Sequence, residues 1–319
     1  MGFANTSDYM ARAAELAQKG MGHTRPNPSV GAVVVNDGKI VGEGWHRKAG
    51  GDHAEVAALK NAGDAARGST VYVTLEPCSK PGRVGACTDA LVASGVAKVV
   101  YAVEDPNPKN RGKAASALAK AGIACEKYAG DEGVMRRCEE LIAPFRKHIL
   151  TGLPYVTVKI AMSLDGRICD DYGNAKWISS DAARGYTGSV LRERNDAIMV
   201  GGETVRRDNP SLLSHGTRND DLVRVVVSRS GELPKDAKIF TDGAPNKTLV
   251  YDDARKALEE LGRQGITSVL CEGGMKLAVS LAKQGLVDKW IAVLAPKVIG
   301  HGKISEATII GEVECLLDS

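Results

Sequence analysis

His53, Cys78 and Cys87 offer one nitrogen and two sulfur donors, and Glu55 follows the histidine by two positions. One imidazole and two thiolates make a soft tripod for Zn²⁺ and leave a fourth position for water. Zinc lowers the pKa of such a water towards ~7, so hydroxide is available at neutral pH. A carboxylate beside it can take a proton from water and pass it to a leaving group. The chemistry expected is metal-assisted hydrolysis, with His53, Cys78 and Cys87 as ligands and Glu55 as proton shuttle. Neither His-x-Glu nor two cysteines separated by eight residues is specific alone, and buried structural cysteines are the competing reading. Thr74-Leu75-Glu76-Pro77-Cys78 after a strand-like run, and an apolar helical pattern after His53, favour the metal site.

Positioning these groups requires ordered elements. Tyr9, Ala13, Leu16 and Ala17 share a face and predict a helix over 8–19. Strands are expected at 30–35 and 39–45, joined by the turn Asn36-Asp37-Gly38. A helix starting at His53, a strand at 71–74, a helix at 88–94, a strand at 96–103 and a helix at 114–121 follow. The order β-β-α-β-α-β-α predicts a three-layer α/β domain. Both metal half-sites then fall at helix N-termini, where backbone N–H groups favour thiolate. A closing helix at 134–149 leads to the breaker Thr151-Gly152-Leu153-Pro154, which sets a boundary between domains 1–150 and 151–319. In the second half, strands are expected at 155–162, 196–200, 223–228, 247–251, 267–271 and 289–294. Helices are expected at 181–194, 253–264 and 274–284.

The chain has 319 residues, enough for two cores. Forty-two basic and 39 acidic residues leave a formal charge of +3, with no basic run and 4% aromatic content. That balance opposes nucleic-acid binding but leaves room for a small anionic substrate in a local pocket. The seven cysteines form no dense framework, and no secretory signal or membrane span is read. A reducing cytoplasm is expected, with Cys125, Cys138, Cys169, Cys271 and Cys315 as ordinary thiols.

Further stretches carry a resemblance. In the first half they are Asn27-Pro28-Ser29-Val30-Gly31, His53-Ala54-Glu55-Val56, Thr74 to Ser79 with Gly82-Arg83 and Cys87, and Asp105-Pro106-Asn107-Pro108. In the second they are Lys159 to Arg167, Lys176-Trp177-Ile178-Ser179-Ser180, Asp196-Ala197-Ile198 with Gly201, Thr204-Val205, Asp208-Asn209-Pro210, and Glu272-Gly273-Gly274. The chain resembles the bifunctional riboflavin-biosynthesis deaminase/reductases over nearly its whole length. The eight-residue gap between Cys78 and Cys87 is that family's form of the zinc-deaminase motif.

The resemblance implies a cytidine-deaminase-like domain followed by a dihydrofolate-reductase-like α/β domain, with Zn²⁺ and NADPH as cofactors. It implies deamination of a diamino-hydroxy-phosphoribosylamino-pyrimidine, then reduction of the ribosyl ring to a ribityl chain. It places Asn27, Asn107, Arg192, Leu212 and Glu272 at the substrate, and Ala161, Trp177, Thr204, Asp208, Gly273 and Gly274 at the dinucleotide. Lys159 and Asp165 fall beside the sugar as catalytic groups. Asn27 and Asn107 also suit turns beside proline, and Trp177 also suits a core. A glycine pair before a helix lets backbone N–H groups approach a phosphate. A homo-oligomer is implied, with no membrane partner. A deaminase carrying a silent reductase-like half is the alternative.

That alternative rests on departures from the family pattern. His215 stands where an arginine is common, so a phosphate contact there is open, with Arg207 or Arg218 as substitutes. The stretch Asp181–Arg194 carries one spare residue near Gly188, which would turn Arg192 from its usual face. Lys80, Val84, Gly85, Ala86 and Ala57 replace commoner residues. The end over 312–319 reads as rearranged or shortened.

Overall fold

A computed structural model describes residues 6–80, 85–172, 178–216, 222–243, 248–300 and 305–306. The chain divides into two compact units: Met1–Tyr155 with Arg194–Asp196 and Leu258–Ser268, and Val156–Glu193 with Ala197–Ala257 and Val269–Ser319.

The first half runs α1 (Thr6–Gln18), β1 (Gly31–Asn36), β2 (Lys39–Trp45), α2 (Ala54–Ala62), β3 (Thr70–Leu75), α3 (Cys87–Ala93), β4 (Lys98–Val103), α4 (Ala114–Ala119), β5 (Ala124–Lys127) and α5 (Glu132–Thr151). Its sheet has the order β2-β1-β3-β4-β5. The β1–β2 hairpin and the β1–β3 pair are antiparallel, while β3–β4 and β4–β5 are parallel. Ala32, Val33, Val34, Val71, Val73, Val99 and Ala102 fill the core with Met10, Ala13, Leu16 and Ala17 of α1. Near-continuous apolar strands are what a sheet covered on both faces requires.

Two glycines of β2 place the metal-bearing helix. A Cβ at Gly42 would lie 2.3 Å from the Ala58 carbonyl oxygen, and one at Gly44 would lie 2.3 Å from the Ala58 nitrogen. Only bare backbone lets α2 approach the sheet this closely, which fixes where its first turn emerges.

The second half contains β6 (Tyr155–Ser163), α6 (Asp181–Tyr186), a π-turn (Thr187–Leu191), β7 (Ala197–Gly201), α7 (Gly202–Asp208), β8 (Val223–Val227), α8 (Lys238–Thr241), β9 (Thr248–Tyr251), α9 (Ala254–Arg263), β10 (Ser268–Cys271), α10 (Met275–Lys283) and β11 (Lys289–Ala295). Its six strands are ordered β11-β6-β10-β7-β8-β9. The pairs β11–β6, β10–β7, β7–β8 and β8–β9 are parallel. Ile198, Val200, Val226 and Leu270 of this sheet pack with Val205, Leu222 and Ile239.

Most expected elements recur with shifts of a residue or two at their ends. β5, α7 and α8 were not expected, and the expected helix 181–194 is interrupted by the π-turn. Among the described residues no helix is long and apolar enough to cross a membrane.

Candidate functional site

The expected metal ligands converge. The donor atoms of His53, Cys78 and Cys87 all lie within 4.8 Å of one another. His53 is the N-cap of α2 and Cys87 is the first residue of α3. His53 Nδ1 is 3.1 Å from Cys87 Sγ and 3.6 Å from Cys78 Sγ. The Cys87 backbone N–H donates to Cys78 Sγ at 3.3 Å. The Cys87 thiol, followed by His53, drives the first ionisation of the cysteine pair far below the usual thiol range. The resulting charge on Cys78, together with burial, resists ionisation of Cys87. The second thiolate forms only with a countercharge, which a dication between the two sulfurs and the imidazole would supply. The donor set fits Zn²⁺.

Glu55 is buried behind these ligands. Burial, then the Cys78 charge, raises its carboxyl above the ordinary range. A carboxyl held this way exchanges protons nearer neutral pH, as a shuttle must.

A cavity of about 460 Å³ opens over the cluster, lined by Asn27, His46, Glu55, Cys78, Asp105 and Asn107 among others. Its far wall is the segment 105–114. The buried Glu76 carboxylate accepts the backbone N–H of Asp105 at 3.1 Å and of Gly112 at 3.0 Å through Oε2, and of Ala114 at 3.2 Å through Oε1. Within the segment, Asp105 accepts from the Asn107 backbone and from the Asn110 amide. Asn107 Oδ1 accepts from the Lys109 N–H at 3.0 Å. The turn reading of Asn107 is thus realised while its side chain also borders the cavity.

Sequence reasoning missed His46, which is buried and borders the same cavity beside Asn27. Its only signal is a histidine directly after an apolar strand. Its ring stands edge-on to His53, with centroids 5.3 Å apart.

In the second half, the expected residues form two groups. Arg192 and Glu272 make a bidentate pair, Nε–Oε1 at 2.7 Å and Nη2–Oε2 at 3.0 Å. Lys159, half-buried in β6, feels both charges. Burial lowers its pKa first, Glu272 opposes this, and Arg192 and Arg184 add to it. The second group lies where β7 and β10 end. A Cβ at Gly273 would lie 2.8 Å from Leu277 Cδ2 and 3.2 Å from the Gly201 nitrogen, a crowding that glycine relieves. Among the described residues beyond its chain neighbours, the nearest atom to a Cβ at Gly274 is Thr204 Oγ1 at 3.9 Å. Beside them a cavity of about 530 Å³ is lined by the cations Arg206, Arg229 and Lys276, the carboxylates Glu203, Asp252 and Asp253, and Ser228 among others. Ser228, Arg229 and Lys276 were not singled out from the sequence; an apolar strand ending in Ser-Arg-Ser was the available cue.

Other expected residues stand apart. The Asp165 carboxylate accepts from Ser163 Oγ at 2.5 Å and from the backbone N–H groups of Ile299 at 3.1 Å and Gly300 at 2.8 Å. These bonds, led by Ser163, hold its pKa well below the usual carboxylate range. Leu212 has φ +59° and its side chain is buried in the apolar core. Ala161 pairs with Val293 in the sheet. Asp208, the last residue of α7, is exposed. Trp177 and the end over 312–319 lie outside the described residues.

Comparison with known proteins adds to this geometry. The family described as the cytidine and deoxycytidylate deaminase zinc-binding region matches residues 4–103, and the RibD C-terminal domain matches 154–310. The riboflavin biosynthesis protein RibD of Escherichia coli is 38% identical, over 98% of this chain and 93% of its own. That of Bacillus amyloliquefaciens is 40% identical, over 95% and 88%. Acinetobacter baumannii RibD, form 1, superposes with TM-score 0.80 at 36% identity, covering 98% of this chain and 92% of the other. A diaminohydroxyphosphoribosylaminopyrimidine deaminase/5-amino-6-(5-phosphoribosylamino)uracil reductase from Thermotoga maritima gives TM-score 0.81 at 34% identity, over 93% and 88%.

A hydrolytic half and a reductive half on one chain define a bifunctional deaminase/reductase. The first has a cytidine-deaminase-like fold, and the second is the reductase domain of these enzymes. The chain belongs to the RibD family of riboflavin biosynthesis.

Proposed function

We propose that residues 1–150 remove the ring amine of a diamino-hydroxy-phosphoribosylamino-pyrimidine and that residues 151–319 reduce the sugar of the product to a ribityl chain. The convergence of His53, Cys78 and Cys87 beside buried Glu55 carries the reading. These three residues would hold zinc, which when bound makes water nucleophilic at neutral pH. Glu55 takes a proton from the attacking water and gives it to a ring nitrogen, then takes the proton of the new ring hydroxyl and gives it to the departing amine. Asn27 and Asn107 border the pyrimidine, Asn27 being aligned by His46.

In the second half, Gly273, Gly274 and Thr204 border the dinucleotide, with Ala161, Trp177 and Asp208 assigned to it by resemblance. The close Gly273–Gly201 approach and the cavity beside it fit a phosphate-bearing cofactor. NADPH bound there would supply the hydride, with Arg229 and Lys276 as cations for its phosphates; Arg206 is paired with Glu203, and Asp252 and Asp253 share the lining. Lys159 delivers a proton to the sugar oxygen as the ring opens. Arg192 and Glu272 orient the substrate, and the Leu212 contact is confined to its backbone. Asp165 acts through the Ile299-Gly300 backbone that it holds.

The six cysteines among the described residues form no disulfide, which suits a cytoplasmic enzyme. The edge strand β11 exposes Trp290 and Leu294, which supports a homo-oligomer.

The test is mass spectrometry of the product from zinc-loaded protein with the phosphoribosylamino-pyrimidine and NADPH. A deaminated and reduced mass is expected. A deaminated but unreduced mass would mean a silent reductase half, and unchanged substrate would overturn the substrate assignment.

A further inference from the structure

The stretch that leads to Arg192 is not a plain α-helix. In an α-helix the Arg192 N–H would bond the carbonyl of Gly188. Here it reaches one residue further back, to Thr187 O at 3.0 Å, which makes Thr187–Leu191 a π-turn. The Gly188 carbonyl is thereby released from the helix, and Gly188 is buried, so the carbonyl needs another donor. The backbone N–H of His215 supplies it at 3.0 Å. The His215 ring also lies over Gly188. A Cβ at 188 would sit 2.5 Å from Nδ1, 2.6 Å from Cε1 and 2.7 Å from Cγ of that ring. Any side chain at 188 would therefore have to displace the exposed His215 ring, while the backbone angle there is ordinary.

The loop that carries His215 makes a second contact with the same turn. Arg192 Nη1 donates to Leu213 O at 2.8 Å, while the rest of its guanidinium is gripped by Glu272. Arg192 is thus held between a carbonyl and a carboxylate, and the carbonyl belongs to a loop fastened to the released Gly188. Converting the π-turn to α-helix would recapture the Gly188 carbonyl and rotate Arg192 by roughly 100°.

We propose that Gly188 and His215 are a positioning pair for the reductase: their contact maintains the π-turn and so aims Arg192 at the phosphoribosylamino-uracil that this half reduces. The inference rests on Arg192 contacting that substrate. Neither Gly188 nor His215 need touch substrate. The pair explains why a histidine serves in a loop beside an arginine already bound on two sides.

The test compares Gly188→Ala, His215→Ala, the double variant and Arg192→Ala in the full-length, zinc-loaded protein. KM and kcat of the reductase are measured with pre-deaminated substrate, and deaminase turnover monitors the other half. Gly188→Ala is expected to raise the reductase KM roughly tenfold, as when a charged hydrogen bond is lost, with a smaller change in kcat. The double variant is expected to return towards the His215→Ala value, because removing the ring makes room for the new methyl group. A double variant no better than Gly188→Ala would overturn the contact as the cause. A raised KM in Arg192→Ala with a normal KM in Gly188→Ala would overturn the pair alone. Normal KM in both would overturn the Arg192 assignment, and the pair with it. Should Gly188→Ala lose all reductase activity through misfolding, recovery in the double variant still decides the question.

Discussion

Asn27 gives an amide hydrogen to Nε2 of His46 across 3.0 Å, and the direction of that bond is fixed two residues away. His46 Nδ1 lies 2.8 Å from the Asp52 carbonyl, which can only accept, so Nδ1 carries the ring proton. Burial lowers the His46 pKa and keeps the ring neutral, which leaves Nε2 as an acceptor. Asn27 must then use its NH₂ on His46, leaving its oxygen as the acceptor it can offer to a pyrimidine N–H. His46→Phe keeps the ring and removes the acceptor. Deaminase KM is expected to rise up to about tenfold, the worth of one hydrogen bond, with zinc content unchanged. A normal KM in steady-state assays would refute the alignment.

Glu55 and Cys87 separate proton transfer from metal retention. Glu55→Gln is expected to keep stoichiometric zinc and to lose deamination by about 10²–10⁴-fold, the usual weight of a positioned acid–base group. Cys87→Ala is expected to lose zinc itself, read by elemental analysis after dialysis against a weak chelator. Full zinc occupancy in that variant would show the ligand set to be wrong.

Glu76 is a test of how far the cavity wall depends on one carboxylate. Glu76→Gln replaces one acceptor oxygen with a donor that faces backbone N–H groups. A loss of about 1–3 kcal/mol of stability is expected for the buried groups left unpaired, together with a raised deaminase KM. Reductase turnover on pre-deaminated substrate should stay normal. Denaturant midpoints and the two separate assays check this, and an unchanged deaminase KM would make the clamp irrelevant to binding.

Lys159 has a pH signature. Its folded pKa lies below the ordinary lysine value because burial and the nearby arginines outweigh Glu272. Between that lowered value and ~10.4 the unfolded chain holds a proton that the folded chain has released. Stability contributed by this residue therefore rises with pH across the window and is absent below it. Lys159→Met should be more stable than the parent at pH 7, with the difference shrinking towards pH 10, and should lose reductase activity by at least about 10²-fold. A pH-independent difference in urea midpoints would contradict the burial argument.

The metal site was legible because His53 and Cys87 sit at the starts of α2 and α3 and Cys78 follows β3, where strand and helix patterns are strong. β5 escaped because its residues are mostly exposed and show no alternation. α7 escaped because it begins at Gly202, after a glycine N-cap, which reads as a turn. The cluster of Lys159, Arg192 and Glu272 draws on β6, the residue after the π-turn and the end of β10, so no local spacing announces it; only resemblance did. The spare residue near Gly188 was visible, but its accommodation as a π-turn depends on a partner from the loop at 215, which periodicity cannot supply. Leu212 shows the reverse limit: resemblance placed it at the substrate, while its side chain is spent on packing.

The three bonds of Glu76 also bear on how this wall can change through evolution. They clasp Asp105 at one end of the segment and Gly112 and Ala114 at the other, so the segment is a closed loop hung from one side chain. Substitutions between the two anchors leave the clasp untouched. An inserted or deleted residue would pull one anchor away and strand a buried carboxylate. Lineages descending from this chain are therefore free to retune substrate preference by replacing residues at 107–111, while the length of the segment stays fixed.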